Sequence, residues 1–285
     1  MATVKQIRTL LEDSQTLKTV AQAYTGIAAE KLQKIRAGIE RNRKFYSEIN
    51  EVFHIVNVAA YQGHYTLPQK KQGTVSILLT SNHHFFGNIE NRLISFYLNN
   101  TAQFQTDRII VGRAALEHFQ AINYVYDYKY FILKEDLPNY EELRNLAANF
   151  VTYEQIFVYY SRMESVVVQT PHVVDLIQNP PQAYLARKGK SPAYIFEPEL
   201  QKMLEFFHTQ VAALLLDQIF LESELARTAS RLMSMDRAQA NADNLIKAQL
   251  ILLSQAKNSE LNMQLLETAA SLMSMRKESK LNFIR

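Results

Sequence analysis

Three short segments carry residue types that could support chemistry. Arg187–Ser191 (RKGKS) resembles the end of a phosphate-binding loop, while the adjacent His83 and His84 could ligate a metal and Ser81 could act as a nucleophile. The spacing argues against each of these activities. The phosphate-binding motif requires a glycine where Tyr184 stands, adjacent histidines point to opposite sides of a helix or strand, and no glycines flank Ser81 as in a nucleophile elbow. The sequence therefore predicts no catalytic residue, no metal site and no cofactor.

An aromatic run, Tyr124–Tyr130 (YVYDYKY), alternates as a strand with one aromatic face would. We interpret it as packing rather than as a platform for stacked bases, because no RNA-binding motif accompanies it. The formal net charge of +3 does not indicate a nucleic-acid partner either.

Both ends of the chain lack helix-breaking residues over long stretches. Glu199–Arg285 contains no glycine or proline, and Met1–Asn57 contains no proline and only Gly26 and Gly38. An uninterrupted stretch of 87 residues favours a single helix. At 1.5 Å per residue such a helix would be roughly 130 Å long. The simplest partner for each long helix is the other, which predicts an antiparallel coiled coil that serves as a mechanical shaft or only as a scaffold.

A coiled-coil seam follows the C-terminal stretch at alternating steps of three and four residues. Of its 16 positions 12 are apolar, and a 3.5-residue period specifies a left-handed supercoil. The seam consists of Leu204, Phe207, Val211, Leu214, Gln218, Leu221, Leu225, Thr228, Leu232, Met235, Gln239, Ala242, Ile246, Gln249, Leu253 and Ala256.

The N-terminal stretch has the same spacing from Leu32 to Val56, with a shift of phase near Ala28. Before that shift, residues recur at steps of seven: Leu10, Leu17 and Tyr24. From both stretches together, the residues that we expect to pack in the coiled coil are Leu32, Ile35, Leu225, Leu232, Met235, Ala242 and Ile246.

The segment between the two stretches has a different pattern. Apolar runs bounded by turn residues predict strands at Thr74–Thr80, Arg108–Val111, Gln155–Tyr160 and Ser165–Gln169, and a last short one at Tyr194–Phe196. Helical patterns lie between them at Ile89–Leu98, Ala114–Phe119 and Tyr140–Phe150. This alternation predicts a mostly parallel sheet flanked by helices. The predicted architecture is thus an α/β fold, in which a Rossmann-like domain (70–198) is inserted between the N-terminal helix (1–60) and the C-terminal helix (199–285).

Composition limits the class of protein further. The chain has no cysteine, which excludes disulfides and thiolate metal sites and fits a reducing compartment. No segment approaches 18 consecutive apolar residues, so we expect no membrane span.

Several motifs, in this order and spacing, resemble the gamma subunit of F-type ATP synthases, the central shaft of a rotary motor. The similar segments are Ile27–Leu32 (IAAEKL), Leu79–Asn88 (LTSNHHFFGN), Ile110–Arg113 (IVGR), Tyr194–Pro198 (YIFEP), Ser223-Glu224, Ser230–Met235 (SRLMSM) and Asn241-Ala242. The resemblance covers essentially the whole chain.

The resemblance implies a non-catalytic rotor subunit that transmits torque between a membrane ring of c subunits and a catalytic head. Its implied partners are the alpha and beta subunits, the epsilon subunit and the c-ring, and its implied location is peripheral, on the cytoplasmic face of the inner (plasma) membrane. The family's arginine-glutamine pair, which engages a beta-subunit loop, falls on Lys257 and Asn258, and its later glutamate falls on Gln264. We therefore expect Lys257, Asn258 and Gln264 to contact the head. Lysine keeps the charge of arginine but loses its planar fork.

Two alternatives fit the same patterns. One is a gamma-like shaft of a related rotary ATPase, which would explain the departures from the family's motifs. The other is a cytosolic coiled-coil adaptor that carries a small α/β domain. An enzyme that uses the α/β domain is disfavoured by the absence of catalytic motifs.

Overall fold

The computed structural model describes residues 3–62, 71–150, 153–176 and 199–282, together with Glu197. Two long helices, α1 (Val4–Gln62) and α5 (Leu200–Asn282), flank a central α/β segment. Within the described part of that segment, strands and helices alternate: β1 (Lys71–Leu79), α2 (Ile89–Thr101), β2 (Asp107–Val111), α3 (Arg113–Ala121), β3 (Lys129–Phe131), α4 (Tyr140–Ala148), β4 (Tyr153–Met163) and β5 (Gln169–Asp175). Among the helices that the structure describes, none combines the length and apolar character of a membrane span.

The strands form one mixed sheet in the order β3-β2-β1-β4-β5. The pairs β1–β2, β1–β4 and β2–β3 are parallel, and only β4–β5 is antiparallel. The chain therefore moves from β1 outward in one direction to β2 and β3, and returns on the other side of β1 to form β4. The predicted strands at Thr74–Thr80, Arg108–Val111 and Gln155–Tyr160 correspond to β1, β2 and β4, so the predicted α/β fold class is confirmed.

The sheet has an apolar core on each face. On one face, side chains of β1, β2 and β4 pack against α4 and against the start of the well-packed part of α5, from Ala213 to Phe220. On the other face, Leu78, Ile110 and Tyr159 pack against α2 and α3. Alternate residues of β1 thus face opposite layers, which is why Val75–Leu79 is buried throughout and apolar except for Ser76, whose hydroxyl forms a hydrogen bond with that of Thr106.

One predicted strand is wrong. Ser165–Gln169 (SVVVQ) was expected to form a strand from its β-branched residues, but the residues up to Val168 form the turn between β4 and β5. Backbone bonds between Ser165 and Val168 close this turn, and Gln169 begins β5. Val167 is 65% exposed, so the local preference of valine for strands does not decide the structure at this position. The predicted strand Tyr194–Phe196 and the loop-like segment Arg187–Ser191 lie outside the described residues.

Residue contacts divide the chain into two compact units, 27–234 and 1–26 with 235–285. Both boundaries fall inside the long helices, whereas the predicted domain limits followed the ends of those helices. The division into 1–60, 70–198 and 199–285 therefore stays a prediction.

In the unit formed by 1–26 and 235–285, α1 buries residues at steps of seven. These are Ile7, Ser14 and Ala21, and Lys18 beside them forms an ion pair with Asp243 at 2.7 Å. Leu10 and Leu17, which the sequence analysis placed on this face, are instead more than half exposed. The expected N-terminal phase was therefore wrong.

In the larger unit, Ala28, Ile35 and Val56 fall on the same seven-residue spacing and are buried. Lys31 contacts Glu224, and Ile39 lines a cavity of about 390 Å³ with Gln218 and Leu221. Higher numbers along α1 thus meet lower numbers along α5, so the two helices run antiparallel within this unit.

Gly112 joins β2 to α3 at a point that admits no side chain. Its φ of +102° lies in a region that favours glycine, and an added Cβ would overlap the backbone carbonyl of Thr80. Two hydrogen bonds of Thr80 accompany its close approach to Gly112. Its hydroxyl donates to Val111 O at 2.9 Å and accepts from Ala115 N at 3.2 Å.

We predict that Gly112→Ala lowers the free energy of unfolding by about 3 kcal/mol or more, because backbone strain and a clash with fixed backbone add together. Chemical denaturation of the purified chain measures this. Gly38→Ala is the matched control, because Gly38 lies in α1 with no atom within 4 Å of an added Cβ. The control should be neutral or stabilising by up to about 1 kcal/mol. Equal effects of the two changes would contradict the proposed role of Gly112.

Candidate functional site

The residues first considered for chemistry have structural partners instead. The hydroxyl of Ser81 is buried and donates to both carboxylate oxygens of Asp136 at 3.1 Å, while the backbone amide of Asn82 donates to the same carboxylate at 2.7 Å. His83 and His84 are exposed, and among the described residues no group of three or more ligand side chains is placed to hold a metal.

The aromatic run is mostly a packing element. Only Lys129–Phe131 is a strand. Tyr124 and Tyr128 pack on the buried ring of Phe119, with centroids 4.5 and 5.6 Å away. Tyr126 lies under the guanidinium of Arg108 at 4.2 Å.

The predicted head-contact residues lie on an exposed part of α5. Lys257, Asn258 and Gln264 are all exposed, as is every described side chain from Lys257 to Met273. The predicted packing residues have a different environment, since Ile35, Leu225 and Ala242 are buried and Leu32, Leu232, Met235 and Ile246 are partly covered. The structure contains no partner chain, so the assignment of head contacts stays a prediction.

The most elaborate polar site lies where α5 crosses the carboxyl ends of the strands in the larger unit. Open α/β sheets bind ligands in the crevice at this edge, at the point where the chain reverses its direction across the sheet. Here that point lies between β1 and β4. Ala226 of α5 packs into it against Phe86 and Ile89 from the segment after β1, and against Met163 at the end of β4. We call this contact, formed by Ser223–Ser234 with Ser81–Glu90 and Asp136, the junction.

At the centre of the junction is a fully buried arginine. Arg227 donates from Nε and Nη2 to one carboxylate oxygen of Glu224 at 3.1 and 2.9 Å, and from Nη1 to the hydroxyl of Ser223 at 3.1 Å. The ammonium group of Lys31 forms an ion pair with the other carboxylate oxygen of Glu224, at 2.5 Å. Glu224 thus links a cation of α5 to a cation of α1.

Two further carboxyl groups face this arginine. Glu90, in the first turn of α2, has both carboxyl oxygens buried without a hydrogen-bond partner, although its stem reaches the surface. Asp136, in the segment after β3, is bound by Ser81 and Asn82. The junction therefore collects charged groups from α1, α2, α5 and the segment after β3.

The electrostatic environment shifts the pKa values of this cluster in opposite directions. Burial raises the pKa of Glu90 to about 7, and the nearby Asp136 and Glu224 add to this effect while Arg227 opposes it. Burial alone would raise the pKa of Glu224, but Arg227 and Lys31 outweigh it and hold that pKa below its usual value. Burial would likewise lower the pKa of Arg227, but Glu224, Glu90 and Asp136 raise it. Arg227 is therefore charged at any physiological pH.

A second set of contacts lies one to two turns further along α5. Ser230 donates its hydroxyl hydrogen to the carbonyl of Phe86 at 2.7 Å. Arg231 donates to the carbonyl of His84 at 3.2 Å, and its guanidinium lies 4.0 Å from the ring centroid of Phe86. Gly87, with φ +65°, leaves no room for a Cβ beside the hydroxyl of Ser234.

This arrangement suits a mechanical role better than a chemical one. Arg227, Glu224 and Asp136 are buried and held by partners within the chain, whereas Lys31 at the edge of the cluster is partly exposed. What they do is tie three helices and the end of a strand into one body.

The family model described as ATP synthase matches residues 3–275 of this chain. The chain belongs to the ATP synthase family. The ATP synthase gamma chain of Buchnera aphidicola subsp. Baizongia pistaciae is 22% identical and covers 94% of this chain and 96% of its own length. That of Clostridium acetobutylicum is 24% identical, with coverages of 92% and 94%.

Solved ATP synthase structures share the fold. A chain of the Euglena gracilis mitochondrial ATP synthase matches with a TM-score of 0.65 and 18% identity, covering 96% of both chains. A chain of the central stalk and c-ring of the Tetrahymena thermophila enzyme matches with a TM-score of 0.61 and 18% identity, covering 77% of this chain and 99% of its own. The resemblance to gamma subunits, and with it the predicted class of central-stalk subunit, is confirmed.

Sequence reasoning missed the charge cluster of this gamma-type chain. It used Ser223 and Glu224 only as part of a family motif, and it did not consider Arg227 or Glu90 at all. The available signal was an acid–base pair three residues apart on a stretch otherwise rich in alanine, serine and threonine. Their other partners are too distant in sequence for any local pattern to reveal.

We predict that Glu90→Gln stabilises the chain in a pH-dependent manner. Between its ordinary value of 4.5 and about 7, the unfolded chain releases the Glu90 proton while the folded chain keeps it, so the stability contributed by the protonated group is lost as pH rises through this window. Glutamine removes that loss. The free energy of unfolding should therefore rise by about 3 kcal/mol at pH 8 and by little at pH 4.5.

Urea denaturation of both proteins at the two pH values measures this difference. The control Glu117→Gln removes the same charge from an exposed position on α3 and should change stability by less than about 0.5 kcal/mol at either pH. An equal gain at pH 4.5 and pH 8 for Glu90→Gln would show that ionisation of Glu90 is not the cause.

Proposed function

We propose that this chain is the central-stalk rotor of an F-type ATP synthase and transmits torque between a catalytic head of alpha and beta subunits and a membrane ring of c subunits. The paired helices act as the shaft, and the α/β domain acts as its foot, resting with an epsilon subunit on the ring. The chain itself is non-catalytic and peripheral, on the cytoplasmic face of the inner (plasma) membrane.

The observation that carries this proposal is the exposed apolar end of α5. Beyond Ala256, large apolar side chains lie in solvent on a helix that no other described residue covers: Leu261, Met263, Leu265, Leu266, Leu272 and Met273, each more than half exposed. A contiguous apolar surface of this kind marks an interaction site. At about 100° per residue, these apolar residues are spread over roughly 200° of the helix circumference, so a surrounding sleeve of partner subunits fits better than a single partner helix, which would cover a narrower stripe.

The family membership supports the identity of that sleeve. The matched relatives are gamma chains, and the matched solved chains come from ATP synthases that contain F1 and a c-ring. Within the exposed end, Lys257, Asn258 and Gln264 supply polar groups at the positions where gamma subunits engage a beta-subunit loop. We assign them as the polar contacts to the head.

The variant Lys257→Ala/Asn258→Ala tests this assignment in the reconstituted complex. Losing charge-assisted hydrogen bonds that lower the turnover barrier by roughly 1 kcal/mol should reduce the ATP hydrolysis rate about fivefold and should reduce torque in single-molecule rotation. The control Lys247→Ala removes the same charge from an exposed position in the paired part of α5, and should leave both quantities unchanged. If the double variant rotates like the parent, the head contacts lie elsewhere.

Isolation of the native complex tests the function as a whole. The tagged full-length chain should co-purify with subunits that carry phosphate-binding loops, identified by mass spectrometry. A cytosolic coiled-coil adaptor would instead bring down proteins without such subunits, and this result would overturn the rotor assignment.

A further inference from the structure

The crevice at the carboxyl edge of the sheet is filled by the chain itself. In sheets of this topology, the crevice between the strands at the reversal point is where ligands bind. In this protein α5 occupies the equivalent space: Ala226 packs against Phe86, Ile89 and Met163, and the fully buried Arg227 next to it is electrostatically coupled to Glu90 and Asp136. A fixed guanidinium from the chain's own helix thus stands where a ligand would be held.

We propose that Arg227 is the positioning residue that sets the rotational orientation of α5 on the α/β domain, with the acid-lined crevice as its socket. This inference deepens the proposed function and rests on it, since a rotor whose foot could turn around its shaft would lose torque at the junction. The residues that contact the domain lie on one face of α5 at steps of four: Ala226 packs against Phe86 and Ile89, Ser230 donates to the carbonyl of Phe86, and Ser234 lies against Gly87. Arg227 is adjacent to Ala226 on this face.

The buried charge of Arg227 favours one rotational orientation of α5 over the others. Turning α5 by one residue, about 100°, would carry the guanidinium out of the socket and leave carboxyl groups buried without a cation. Apolar packing penalises such a turn less strongly. The neighbours of Arg227 on α5 are the small residues Ala226, Thr228 and Ala229, whose packing energy differs little from one rotational orientation of the helix to another. Specificity of this kind is the best-attested use of a buried polar group.

Every charged group that faces the socket is part of the arrangement. Glu224 lies beside Arg227 on α5, Glu90 approaches from α2, Asp136 from the segment after β3, and Lys31 reaches Glu224 from α1. A cation in the socket is therefore required whether Glu90 carries a proton or not, because Glu224 and Asp136 face it in either state.

Spin-label distances in the full-length chain test the proposal directly. Because the chain contains no cysteine, labels can be placed at two exposed positions of the larger unit, Asn91→Cys on α2 and Lys202→Cys on α5. The parent should give one narrow distance distribution. Arg227→Met, which keeps an unbranched apolar stem but removes the guanidinium and its charge, should broaden or split this distribution and lower Tm by about 10 °C. The control Arg237→Met, at an exposed position of the same helix, should change neither.

A neutralised variant separates positioning from stability. In Arg227→Met/Glu224→Gln/Glu90→Gln two of the three carboxyl groups that face the socket are neutralised, and the third, Asp136, keeps its hydrogen bonds from Ser81 and Asn82, so most of the cost of unpartnered charge is removed and Tm should return to within a few degrees of the parent. The distance distribution should nevertheless stay broad, because the selective element is gone. A narrow distribution in this variant, or in Arg227→Met, would overturn the proposal and leave Arg227 as a contributor to stability alone.

Chemical rescue supplies an independent readout. In Arg227→Ala, guanidinium ion at millimolar concentration, far below denaturing levels, should enter the vacated socket, raise Tm and narrow the distance distribution. Urea, a neutral molecule of similar shape, should not do so at the same concentration, and sodium chloride controls for ionic strength. Equal rescue by urea would overturn the proposal. Since all these measurements use the isolated chain, they can fail or succeed independently of whether it co-purifies with a catalytic head.

Discussion

A guanidinium that is removed entirely from water must be surrounded by partners, and in this chain those partners come from three separate segments. Glu224 binds Arg227 directly and also receives Lys31 from the N-terminal helix. Glu90 and Asp136 bring in α2 and the segment after β3. Because each unpartnered charge would cost several kcal/mol, the two long helices and the sheet are held together at one place more strictly than apolar packing alone would hold them.

The paired helices themselves follow a different physical rule. Along α1 the buried positions Ile7, Ser14, Ala21, Ala28 and Ile35 recur every seven residues, and three of these five are small. Small side chains let helix backbones approach closely, whereas leucines at the same positions would hold them apart. The larger residues Leu10 and Leu17 are left at the surface. Within each unit the shaft is therefore close-packed, which is what stiffness requires of a part that carries torque.

The exposed end of α5 has no packing contacts with the rest of the described chain. Seventeen described side chains from Lys257 to Met273 are all exposed, so no tertiary packing within the described chain supports this part of the helix. Isolated helices of such length are marginal in water, since most helical stability in proteins comes from packing of an apolar face. The exposed apolar surface makes this end of α5 only marginally stable in the isolated chain. The same surface suits it to packing against surrounding partner subunits.

The amino-acid sequence by itself determined the periodic features: two long helices from the absence of glycine and proline, a C-terminal seam whose positions from Met235 to Ala256 are all at least partly covered, and the strands around Thr74–Thr80 and Gln155–Tyr160. These follow from local rules, in which each residue acts on its near neighbours. Only the tertiary structure decided that Ser165–Val168 is a turn, that Ser14 rather than Leu10 faces the partner helix, and that Arg227 fills the crevice of the sheet. Each of these depends on groups far away in the chain. Burial and charge pairing are properties of the assembled fold, and no window of neighbouring residues contains them.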